Sequence, residues 1–104
     1  MELSEYQAKA HQTSGNVNIG HLMVYPALGL SNETGELLGK VKKYFRDGEW
    51  NEGLVKKELG DILWYLSEFC TVMGWDMDQI AEMNLDKLAR RQAEGKIHGS
   101  GDER

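Results

Sequence analysis

The chain has one cysteine, Cys70, one proline, Pro26, and three histidines, His11, His21 and His98. A lone cysteine closes no intrachain disulfide. This excludes a secreted disulfide scaffold and makes a reducing compartment, the cytoplasm, the expected location. One cysteine and three scattered histidines fall short of a Cys/His zinc site. No histidine follows a glutamate by three residues, so the E-x-x-H pairs of a di-iron bundle are missing too. There is no run of about 18 apolar residues, and so no expected membrane span. The most apolar stretch, Ile62 to Trp75, is interrupted by Ser67, Glu68 and Thr71. The opening Met1-Glu2-Leu3-Ser4-Glu5 is acidic and polar, unlike a signal peptide. Positive charge is also short, with 12 Lys and Arg against 17 Asp and Glu for a net charge of −5. That balance argues against nonspecific nucleic-acid binding. It leaves room for a phosphorylated ligand handled through a divalent metal, because the metal reverses the local field.

What is present is a chain of 104 residues, 40% hydrophobic. That is one domain with enough apolar content to fold. No segment alternates with the period of a strand, so the expected fold class is all-α. A first helix is predicted over Ser4 to Ser14, with turn residues from Asn16 to His21. Pro26 suits the first turn of a second helix, which runs to Arg46 and stops at Asp47-Gly48. Asn51 caps a third helix from Glu52 to Met73, with Gly74 just beyond its end. Asp76, with Gln79 three residues on, suggests a capping box for a fourth helix ending near Glu94. Residues 1–95 then form a helical domain and 96–104 a glycine-rich tail. The Asp47 to Asn51 connection is short, so the second and third helices should pack antiparallel in a bundle of about four helices.

Helical periodicity places the carboxylates in unusual positions. On the third helix, Leu54, Val55, Leu59, Ile62, Leu63, Tyr65, Leu66, Phe69, Val72 and Met73 share a broad apolar arc, with Ser67 outside it. Glu58 projects inside this arc and Asp61 sits at its edge. A buried unpaired carboxylate costs several kcal/mol, so something should compensate Glu58. On the second helix, Glu33 borders the stripe of Leu30, Leu37, Leu38, Val41, Tyr44 and Phe45, and Glu36 lies one step further out. Glu33/Glu36 and Glu58/Asp61 each have i,i+3 spacing and share a helix face. An antiparallel hairpin can bring both pairs to similar height. Four converging carboxylates make a hard-cation site, which favours Mg²⁺, with Mn²⁺ as a substitute, over Zn²⁺. A lone E-x-x-E on a helix is usually a solvated face. Two pairs flanking one hairpin, with Glu58 in the apolar arc, weigh against that reading here.

On the fourth helix Asn84, Lys87 and Arg91 form one ridge, with Asn84 directed into the apolar stripe of Met77, Ile80, Ala81 and Leu88. Two readings stay open. Lys87 and Arg91 contact phosphate, or they are cations complementing a helix C-terminus. Among the aromatics, Trp64 and Trp75 read as packing residues. Any of them, Trp50 and Tyr25 included, could stack on a base, as could His21.

These residues resemble a known family. Gly29-Leu30-Ser31-Asn32-Glu33-Thr34-Gly35-Glu36, followed by Lys57-Glu58-Leu59-Gly60-Asp61-Ile62-Leu63-Trp64-Tyr65-Leu66, is similar to the E-x-x-E, spacer, E-x-x-D signature of MazG-like nucleotide pyrophosphohydrolases, members of the all-α NTP pyrophosphatase superfamily. Asn84-Leu85-Asp86-Lys87-Leu88-Ala89-Arg90-Arg91 resembles the family's N-x-x-K-L-x-x-R stretch. Gly95-Lys96-Ile97-His98-Gly99-Ser100-Gly101-Asp102, with Arg104, resembles the G-x-G-D-x-R ending of compact bacterial and phage members, as does Glu5-Tyr6-Gln7 near the start. Gln92-Ala93-Glu94 departs from the aromatic-Pro pair that often follows the R-R stretch. The resemblance implies hydrolysis of a nucleoside triphosphate to monophosphate and pyrophosphate for nucleotide-pool housecleaning. It implies Mg²⁺ on Glu33, Glu36, Glu58 and Asp61, and Lys87 and Arg91 on the leaving pyrophosphate. Asn84, Tyr65, His21 and Trp50 are the candidate substrate contacts, with Asn84 and Tyr65 nearest the carboxylate face. It also implies assembly into a dimer or a tetramer built from two dimers. The apolar arcs agree, since they exceed what one hairpin covers and a chain this small buries little surface alone. Removing the four carboxylates would change the net charge from −5 to −1, so the acidity is largely the expected site.

Rival readings are a phosphoribosyl-ATP pyrophosphohydrolase-like enzyme, whose second block ends differently from Asp61-Ile62-Leu63-Trp64-Tyr65, and a dUTP-specific diphosphatase, usually a longer chain. Outside enzymes, the rival is a non-catalytic helical dimer that binds a nucleotide or a protein.

Overall fold

A computed structural model describes residues 1–15 and 22–103. His21 and the rest of the expected turn lie outside the described residues. Among those described there are four helices and no strand: α1 Leu3–His11, α2 Val24–Asp47, α3 Glu52–Met73 and α4 Met77–Ala93. The all-α class and helix order are as the sequence predicts. None of these helices is long and apolar enough to cross a membrane.

Local chemistry sets most helix ends. α2 stops at Gly48, whose φ of 73° lets its N–H return to the Tyr44 carbonyl. Asn51 Oδ1 accepts from the Leu54 N–H at 3.1 Å and starts α3. Gly74, at φ 76°, closes α3. α1 ends at His11, three residues earlier than expected. There the bonding shortens to i→i−3, with Thr13 N–H on Ala10 O and Ser14 N–H on His11 O, and Thr13 Oγ1 adds a second donor to the Ala10 carbonyl. At α4, Asp76 caps by accepting from the Asp78 N–H at 2.9 Å, and the reciprocal half of a capping box does not form. Gln7 of α1 supplies the next acceptor, taking the Met77 N–H at 3.0 Å. The Gln7 amide also donates to Thr71 Oγ1 and the Trp75 carbonyl, and Ser4 donates to Asp78. One glutamine thus joins α1 to the α3–α4 corner.

α2 and α3 pack against each other along their length, α1 lies on α3, and α4 meets α1. The α1–α3 contact corrects the apolar arc of α3. Ser67, expected outside it, is fully buried. Trp64, Glu68 and Thr71 bond to Thr13, His11 and Gln7, so α1 covers that side of the helix. The opposite side stays open. Leu54, Leu59, Leu66 and Met73 of α3, Leu28, Leu38 and Phe45 of α2, and Ile80, Met83, Leu85 and Leu88 of α4 are all exposed, Phe45 at 82%. The exposed area is 7695 Å², against about 5,900 Å² for a compact monomer of this mass. The radius of gyration is 16.5 Å, against about 13 Å. The tail does not run free. Lys96 N–H bonds the Arg91 carbonyl at 2.7 Å, Gly99 N–H bonds the Lys96 carbonyl, and Asp102 returns to α4.

Candidate functional site

Packing of α2 on α3 brings Glu33, Glu36 and Glu58 together, with one carboxylate oxygen from each lying within 4.8 Å of the others. Glu33 and Glu36 share a face of α2, and the antiparallel hairpin carries Glu58 to their height, as the spacing predicts. Glu33 and Glu58 are half-buried and Glu36 is exposed. Oε2 of Glu33 and Oε2 of Glu58 are buried without a hydrogen-bond partner. Burial, then the neighbouring carboxylates of Glu58, Glu36 and Asp61, push the Glu33 carboxyl up to about 7. Opposite other acceptors, that oxygen gains a donor only if the group of carboxylates holds a proton. A hard divalent cation would satisfy the same oxygens, so the donor set fits one. Asp61 is exposed and outside the close group. Its charge still reaches Glu33, Tyr65 and, on α1, Tyr6.

Lys40 of α2 stands 3.7 Å from Glu58 Oε1. It partly supplies the compensation that Glu58 demanded. Four residues after Glu36 and seven after Glu33, it shares their face, so helical spacing alone could have found it.

Tyr65 lies on the same side. Its ring covers Gly29, where an added Cβ would fall inside the ring's van der Waals envelope, and it stands 6.2 Å from the ring of Tyr25. Burial first, then its hydrogen bond with Tyr25, raises the Tyr65 hydroxyl above its usual range. Trp50 is elsewhere, stacked edge-on against Tyr44 at 5.6 Å beside the α2–α3 connection.

α4 is arranged differently from the expected ridge beside the carboxylates. Lys87 Nζ donates to Asp102 Oδ1 at 2.6 Å. Arg91, only 5% exposed, donates to the same oxygen at 3.2 Å and to the Asp102 carbonyl. The two cations therefore pair with the tail of their own chain rather than with the Glu33 cluster. Their hydrogen bonds hold the Asp102 carboxyl below the usual carboxylate range. Asn84 is exposed, on a stripe whose Ile80 and Leu88 are exposed as well. Periodicity did not reveal Asp102; the G-x-G-D-x-R ending was the available signal.

The sequence model of the MazG nucleotide pyrophosphohydrolase domain matches residues 26–95, which span α2, α3 and α4. The chain belongs to the MazG nucleotide pyrophosphohydrolase family. It is also similar to the Gene 37 protein of Mycobacterium phage L5, at 32% identity with both chains covered in full. No solved structure matches it significantly. Within this MazG chain, the three clustered carboxylates, Asp61, Lys40 and Tyr65 all fall inside the matched segment. Tyr6, Gln7 and Asp102 lie outside it. Membership implies a pyrophosphohydrolase, and the acidic cluster is where a divalent metal would be held.

Proposed function

We propose that this chain is a Mg²⁺-dependent nucleoside triphosphate pyrophosphohydrolase, converting a (deoxy)nucleoside triphosphate and water to the monophosphate and pyrophosphate, in nucleotide-pool housecleaning. The observation that carries this is the Glu33, Glu36 and Glu58 cluster with two buried oxygens that lack donors. Glu33, Glu36 and Glu58 would hold the metal, with Asp61 at the edge, and Mn²⁺ could substitute. The bound cation supplies charge neutralisation for the triphosphate and a lowered pKa for the attacking water. Glu33, with its partners, sets how many protons leave before a metal enters. Lys40 limits repulsion around Glu58. The α2–α3 hairpin fixes the carboxylates in position, as positioning for attack in line with the leaving pyrophosphate requires.

Lys87 and Arg91 are the cations suited to the pyrophosphate. In one chain they hold Asp102, so this role requires exchange of a carboxylate for a phosphate, approach of a second copy, or both. A homo-oligomer, dimer or dimer of dimers, is supported by the exposed leucines of α2 and α3 and by a surface larger than a monomer of this size should have.

The test is pyrophosphate release from the eight common NTPs and dNTPs, with and without Mg²⁺, by the wild type and Glu58→Gln. The reading predicts metal-dependent release that the substitution abolishes. Release independent of metal, or undiminished in Glu58→Gln, would refute it.

A further inference from the structure

At the open end of the α2–α3 hairpin, a cavity of about 390 Å³ lies between the end of α1, the start of α2 and the C-terminal half of α3. The carboxylate cluster leaves it unexplained. His11, Thr13, Tyr25, Trp64, Glu68 and Val72 contribute to its walls. The volume falls in the range of small-molecule pockets, roughly 300–1,000 Å³.

Two features distinguish it from a packing gap. Trp64 donates its indole N–H to Thr13 Oγ1 at 2.8 Å, which fixes the ring plane and leaves a rigid aromatic wall. Glu68 is a charged group only 5% exposed, and its partner is the His11 ring, with Nδ1 at 3.0 and 3.4 Å from the two oxygens. That nitrogen bridges the two-oxygen edge of the carboxylate, but the His11 side chain is 48% exposed, so a ligand with two donors can take its place on an acceptor-only group. Two tyrosines link the cavity wall to the neighbourhood of the carboxylates. Tyr25 lines it and contacts Tyr65, and Tyr65 feels the charges of Glu33 and Asp61. Tyr25 precedes Glu33 by eight residues of α2, about 12 Å along the axis.

We propose that this cavity receives the base of the nucleoside triphosphate and that Glu68 selects guanine. The inference rests on the nucleotide reading above. A carboxylate only accepts hydrogen bonds. The guanine edge presents two adjacent donors, the ring N–H and the exocyclic amine, one for each carboxylate oxygen, and they replace the single His11 nitrogen there. Adenine, cytosine and uracil each place an acceptor beside their donor, opposite the second oxygen. A buried carboxylate facing an acceptor loses hydration without compensation. Trp64 supplies the flat surface on which the base rests.

The test is an NMR titration of the full chain with GMP, AMP, CMP and UMP, without metal. It follows the Trp64 indole N–H, one of three in the protein, assigned with Trp64→Phe. The expected result is movement of that signal at a GMP concentration at least about tenfold below that needed for AMP, CMP or UMP, with the difference removed in Glu68→Gln. A Trp64 signal unmoved by all four, equal midpoints, or an unchanged GMP preference in Glu68→Gln would overturn the proposal. If Glu68→Gln does not fold, the four wild-type titrations decide alone. Failure of the hydrolysis reading is separable. GMP-selective movement of Trp64 without turnover of any triphosphate keeps the cavity and removes the enzyme. Turnover with Trp64 indifferent to GMP does the reverse.

Discussion

Metal binding to the Glu33, Glu36 and Glu58 cluster should expel a proton, and the pH dependence can be worked out from the site. The Glu33 carboxyl lies near 7 rather than 4.5. It is therefore about nine-tenths protonated at pH 6 and about one-tenth at pH 8. A divalent cation needs the ionised form. Its apparent affinity should rise about tenfold between these pH values, with about 0.9 proton released per chain at pH 6 and about 0.1 at pH 8. Calorimetric Mg²⁺ titration in two buffers of different ionisation enthalpy reads the proton count directly. The metal-free chain should show the complementary trend. Glu33 is raised on folding, so its contribution is fully present below about pH 4.5 and is lost as pH rises through about 7. Screened by nearby solvent, the loss is on the order of 1–2 kcal/mol. Melting in EDTA should then fall from pH 5.5 to 8, Mg²⁺ should restore it at pH 8, and Glu33→Gln should flatten the trend. Proton release independent of pH, or a metal-free melting temperature that climbs over this window, would refute the reasoning.

Other consequences follow from single contacts. Gly29→Ala places a methyl group against the Tyr65 ring; overpacking of this kind costs about 1–3 kcal/mol and should lower both the melting temperature and kcat/KM. Asp102→Asn weakens the clasp on Lys87 and Arg91 and should speed amide hydrogen exchange in residues 96–103 while leaving α2 and α3 protected. Phe45→Asp, at a side chain 82% exposed, should shift sedimentation toward the monomer; an unchanged profile would place the contact elsewhere.

The legible parts of this chain were local or periodic. Asn51, Gly48 and Gly74 announce helix ends because capping acts over three or four residues. Glu33, Glu36 and Glu58 could be paired because two helical periods and one short connection fix their relative height. Lys40 obeyed the same periodicity and was overlooked. What stayed hidden depends on how distant segments dock. Ser67 is buried because α1 covers it, and the Gln7, His11 and Glu68 contacts span 57 residues or more. The Lys87 and Arg91 ridge was visible on the helix. Its partner was not, because a glycine-rich tail carries no periodic signal for where Asp102 returns. Trp50 is a candidate base contact by residue type alone, and its packing on Tyr44, set by the turn, carries no periodic signal.

The central claim is which bond is cut and by which residues. ³¹P NMR of a nucleoside triphosphate incubated with the chain and Mg²⁺ resolves this directly. The account predicts equal growth of monophosphate and pyrophosphate signals, absent in Glu58→Gln and absent in EDTA. Growth of diphosphate and inorganic phosphate, or the same products from Glu58→Gln, would contradict it.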